Sequence, residues 1–126
     1  MSQRGSIRQR GFILVETVFA IAIVATAVAT AAGAMSVSAR VMDKASSRTT
    51  ASWITVSQAE TIRNATFVAT QGQGMYTSVP TPAGYTVTNE TTAFEAEDPS
   101  SIQNVTITVQ RNGTTVLTTT IVKVFR

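Results

Sequence analysis

The sequence predicts an α+β chain: one long N-terminal helix, a hydrophobic stalk continuing into an amphipathic half, laid on a small three-stranded antiparallel sheet. Three observations predict it. Residues 17–39 carry no charge, and the only charge between Arg10 and Arg40 is Glu16. From Val37 the chain turns amphipathic with no breaker before Gln71, so the same helix continues. At the C-terminal end two alternating runs, 102–111 and 114–125, are separated only by Asn112-Gly113.

The 126 residues support one small domain beside the helix. Residues 1–11 form a short polar and basic leader, residues 12–36 the apolar helix, and residues 37–126 the globular part. The net charge of +3 belongs to the leader. With Arg4, Arg8 and Arg10 set aside, seven of the ten basic residues remain against seven acidic ones, which removes the sequence argument for nucleic-acid binding. The chain has no Cys and no His. That excludes disulfides, thiolate nucleophiles, His bases and His or Cys metal sites. No paired carboxylates or Gly-rich phosphate loop suggest catalysis, so no enzyme activity and no cofactor are expected.

As a helix, residues 12–34 reach about 35 Å, against roughly 30 Å of bilayer hydrocarbon. The anomaly is Glu16. A carboxylate held in lipid costs about 2.5–3.5 kcal/mol even on lenient scales, so it needs a partner. An α-amino group created by cutting between Gly11 and Phe12 would serve.

A basic leader ending in Gly11, then Phe12, then Glu16, then some 20 apolar residues resembles the class III signal of bacterial type IV prepilins and type II secretion pseudopilins. The resemblance covers about residues 9–39. It implies cleavage after Gly11 by a prepilin peptidase, N-methylation of Phe12, and a stalk that packs with other pilin or pseudopilin subunits in a helical filament built on an inner-membrane assembly platform. It further implies that Glu16 meets the Phe12 amine of a neighbouring subunit, a Coulomb attraction of about 4 kcal/mol at ~4 Å and an effective dielectric near 20, before desolvation. The leader cations would keep the N-terminus in the cytoplasm, giving a single pass in the inner membrane with the C-terminal part outside. The small residues of 20–34 suit close helix approach. The family usually has Pro where Gly33 stands; Gly33 costs about 1 kcal/mol relative to Ala but does not force a break. Residues 51–54 (Ala-Ser-Trp-Ile), with Gln58-Ala59-Glu60, resemble the corresponding stretch of I-type minor pseudopilins and related minor pilins. Glu16 argues against the tip subunit, which usually lacks that acid. A major pilin is the nearest alternative. A conventional secretory signal with a cleavage box at Ala32-Gly33-Ala34 is another; it predicts Met35 rather than Phe12 as the mature start, and leaves a small anchored or secreted binding module.

In the amphipathic helix, residues 37–70, Val56 anchors a stripe that includes Val41, Met42, Ala45, Trp53, Ala59 and Phe67, all within about 60° of it. This stripe, Trp53 included, is expected to face the core. Ala51, Ile54, Ile62 and Ala65 make a second, weaker patch, either a contact for other subunits or ordinary half-buried positions. Gly72 and Gly74 end the helix, and Pro80 and Pro82 keep residues 71–83 a loop. The sheet spans 84–126, its first strand starting near Tyr85 and ending towards Phe94. The acidic turn Glu95-Ala96-Glu97-Asp98-Pro99 is a solvated turn or a weak calcium candidate. Four Asn-x-Thr triplets, at Asn64, Asn89, Asn104 and Asn112, match the glycosylation pattern, as a Thr-rich chain does by chance. A two-residue turn at Asn112-Gly113 pairs Val109 with Val116, Ile107 with Thr118 and Val105 with Thr120. Val105, Ile107, Val109, Val116, Val122 and Val124 then face the helix, and Thr106, Thr108, Leu117, Thr119, Ile121 and Phe125 face out.

Overall fold

A computed structural model describes residues 6–94 and 101–125, with side-chain surroundings from Phe12 onward. Its elements are α1 (Ser6–Asn64), β1 (Gly72–Gln73), β2 (Tyr85–Ala93), β3 (Ile102–Arg111) and β4 (Thr114–Val124). The chain divides into two compact units, Met1–Met42 and Asp43–Arg126.

Among its described residues the first unit is helix alone. Its side chains from Phe12 on are all exposed, and α1 passes through Gly33 without a break. Hydroxyls in this stretch bond to the helix itself: Thr17 donates to the Ile13 carbonyl at 2.8 Å, Thr26 to Ile23 at 2.8 Å, Thr30 to Ala27 at 2.9 Å and Ser36 to Gly33 at 3.0 Å.

The second unit lays the rest of α1 on an antiparallel meander in the order β1-β2-β3-β4. The sheet thus has four strands rather than three. The extra one, β1, lies in what the two prolines made a loop; its two residues pair with Thr91 and Glu90. The Thr91 hydroxyl holds it, accepting from the Gly72 amide at 2.9 Å.

The helical stripe is the reverse of the expected one. Ala51, Ile54 and Ile62 are fully buried against Val105, Ile107 and Val109, while Trp53 is 63% and Val56 59% exposed. Gln58 shares the buried face. Its amide nitrogen donates to the Thr77 carbonyl at 2.9 Å and its oxygen accepts from the Val79 amide at 2.8 Å. Asn89 does the same from the sheet, bonding both backbone groups of Tyr76 at 2.8 and 3.2 Å. Two buried amides thus stitch the segment after the helix into place, and an apolar-only stripe cannot see them.

The helix ends at Asn64, six residues short of the expected 70. Phe67 lies beyond it and meets Phe125 edge-on, with centroids 5.7 Å apart.

The last hairpin turns at Asn112-Gly113, both with positive φ, 50° and 80°, as a type I′ turn demands. Its register departs from the expected one after two pairs, Arg111 with Thr114 and Gln110 with Thr115. Val109 then pairs with Leu117, leaving Val116 as a bulge. Because side chains alternate, one extra residue moves everything beyond it to the other face. Leu117, Ile121 and Lys123 turn inward, and Val122 and Val124 turn out, 51% and 48% exposed. The turn rests on Gly84, whose carbonyl accepts from the Asn112 amide at 2.8 Å. Gly84 has φ +82°, and a Cβ there would stand 3.0 Å from Asn112 Oδ1, so glycine is required.

Candidate assembly surface

Phe12 and Glu16 lie on the exposed helix of the first unit, one turn apart; Phe12 is 76% exposed. Gly11 precedes them within the same helix. That puts Glu16 about 6 Å along the axis from Phe12. Among the described residues Glu16 has no ion-pair partner. The segment that follows is long and apolar enough to cross a membrane and lies near the N-terminus, which is compatible with a membrane anchor.

In the second unit a helix normally keeps its apolar side for the sheet and turns a polar side to water. This one turns two large apolar residues outward among the polar Arg48, Thr49, Ser52, Glu60 and Arg63. Opposite the core, Trp53 and Val56 stand exposed with Arg48, Thr49 and Ser52 around a shallow hollow. The sequence pattern located these residues and assigned them the wrong neighbour.

Two polar contacts fix the unit's ends. At the hairpin tip, Arg111 Nη1 donates to both Asp43 carboxylate oxygens, at 2.9 and 3.0 Å, and also to the Ser47 hydroxyl. The hydrogen bonds and charge of Asp43 raise the Arg111 pKa further above its ordinary value. At the other end, Lys123 is buried and its ammonium donates to the carbonyls of Ile62, Arg63 and Ala65 at 2.6, 2.9 and 2.6 Å. Ile62 and Arg63 lie in the last turn, where a helix runs short of its own donors, and Ala65 is the residue just past it. Burial pushes the Lys123 pKa down. Sequence reading missed both contacts, which join residues more than 55 positions apart.

Lys123 also lines a cleft of about 550 Å³ with residues 63–67, Val122, Val124 and Phe125. β4 beside it is an edge strand, and it carries two features that discourage further strand pairing, the bulge at Val116 and an inward charge at Lys123.

No group of three acidic or other metal-ligating side chains occurs among the described residues; Glu95, Glu97 and Asp98 lie outside them. No family model, curated protein or solved structure matches this chain.

Proposed function

We propose that the chain is a structural filament subunit, a minor pilin or minor pseudopilin of a type IV pilus or type II secretion filament. It is cut after Gly11, methylated at Phe12, held in the inner membrane with its sheet unit outside, and then drawn into a helical assembly. The observation that supports this most is the uncovered apolar surface that α1 carries at separate places along its length. It is exposed from Phe12 through the first unit and again at Trp53 and Val56, where the sheet already occupies the opposite side. A lone anchor needs lipid around its span only. An assembled helix bundle also needs apolar contact at the level of the globular unit.

The reading is tested on the protein recovered from cells that carry the assembly genes. N-terminal sequencing and mass should find N-methyl-Phe12. A start at Met35, or an intact Met1, overturns it. Separately, Glu16→Ala should be cut and inserted normally yet be depleted from sheared filaments, and Gly11→Val should remain uncut.

A further inference from the structure

From the spacing of two charges on the first unit we infer that the membrane-stored subunit keeps the Glu16 carboxylate in one headgroup layer and the Arg40 guanidinium in the other. The hydrocarbon between them is filled by residues 17–39. This rests on the membrane-anchored reading above and places Glu16 differently from a carboxylate sunk in lipid.

Glu16 and Arg40 are 24 residues apart on one helix, about 36 Å along its axis. An ordinary tilt of about 20° shortens that to roughly 34 Å, against about 30 Å of hydrocarbon. Both charges therefore reach headgroups, and no charge lies between them. The alternative register sinks the helix until Phe12, Ile13, Leu14 and Val15 enter the hydrocarbon and carry Glu16 with them. On insertion scales one acid costs more than four such apolar residues return. The run of residues 17–39 also suits lipid better than its composition suggests. Four of its five hydroxyls, those of Thr17, Thr26, Thr30 and Ser36, already donate to backbone carbonyls one turn back. Ser36 can thus sit in hydrocarbon without an unpaired donor.

At the far layer Arg40 faces lipid phosphate, an anionic partner of matching charge. At the near layer Glu16 is presented to water and to incoming amines. Pairing with a neighbour's Phe12 then begins in the headgroup layer.

The cysteine-free chain allows a direct test. Full-length chains carrying Val15→Cys, Ala25→Cys or Ser36→Cys are reconstituted into vesicles of phosphatidylethanolamine and phosphatidylglycerol, and a water-soluble maleimide is supplied on both sides. Val15→Cys should react at least about tenfold faster than Ala25→Cys, because the reactive thiolate is excluded from hydrocarbon, and Ser36→Cys should be as protected as Ala25→Cys. A protected Val15→Cys, or a reactive Ser36→Cys beside a protected Ala25→Cys, overturns the register while leaving the anchor intact. A reactive Ala25→Cys means the helix does not span, and both the register and the anchored reading fail.

Discussion

Lys123 Nζ donates to the Ile62 carbonyl at 2.6 Å, tying the last strand to the last turn of the helix. With the bonds to Arg63 and Ala65 it supplies three donors where the helix runs out of its own, and it sets a positive charge at the negative end of the helix dipole. This contact caps α1 at Asn64, where nothing in residues 65–70 is itself a helix breaker.

Lys123→Met is therefore expected to cost about 1–3 kcal/mol, the range for leaving buried polar groups unpartnered. Denaturant unfolding of the detergent-solubilised chain reads it. The pH dependence has a definite sign. Burial lowers the Lys123 pKa below the ordinary value of 10.5, so between the two values the unfolded chain binds more protons than the folded one. Stability there rises with pH. The wild type should gain on Lys123→Met as pH climbs towards 10.5, and a difference that stays flat would contradict the burial effect.

Lys123 reaches the helix only because of the bulge. Deleting Thr118, beyond the bulge, shifts every later residue by one and turns Ile121 and Lys123 to solvent, whereas deleting Val116 removes only the bulge residue and leaves Leu117 opposite Val109. The Thr118 deletion should cost far more than the Val116 deletion, since only the first turns inward side chains out. Equal destabilisation by the two changes would show that the inward set carries no weight.

This hairpin also marks where sequence reading stopped. Asn112-Gly113 specifies its own φ signs, so the turn was legible from two residues. The bulge was not, because Val116 and Leu117 are equally good strand residues and alternation cannot say which one is skipped. The register that forms brings Lys123 to the carbonyls of Ile62, Arg63 and Ala65, a contact between residues more than 55 positions apart. The helix tells the same story. Its existence, length through Gly33 and two apolar faces were written in the sequence. Which face met the sheet was not legible, because that face carries Gln58, a polar residue that the hydrophobic pattern counts against burial but that is satisfied there by Thr77 and Val79. At the candidate site, the motif residues Gly11, Phe12 and Glu16 were legible as a pattern, whereas Trp53 became part of the surface only once the core had been assigned to the other side.

The Arg111–Asp43 pair should matter little to stability. Its side chains are 37% and 66% exposed, and exposed pairs are screened by water and salt and contribute little. Asp43→Asn is expected to shift the unfolding midpoint only slightly and to lose that effect in high salt, checked by unfolding at two salt concentrations. A large shift would mean that Arg111, left beside Ser47 and Tyr85, had no alternative partner.

Adjacent residues on α1 give the sharpest test of the two-faced helix. Ile54 is fully buried and Trp53 is 63% exposed. Ile54→Ala opens a cavity against Val105 and Ile107 and should cost about 2–5 kcal/mol. Trp53→Ala removes a larger side chain but leaves the core untouched, and should change unfolding by no more than about 0.5 kcal/mol. If Trp53 serves assembly, the same substitution should deplete the protein from sheared filaments while its level in the membrane is unchanged. The opposite ranking in unfolding would restore Trp53 to the core and remove the uncovered face. Normal incorporation of a stable Trp53→Ala chain would instead leave the face exposed and without a role in the filament.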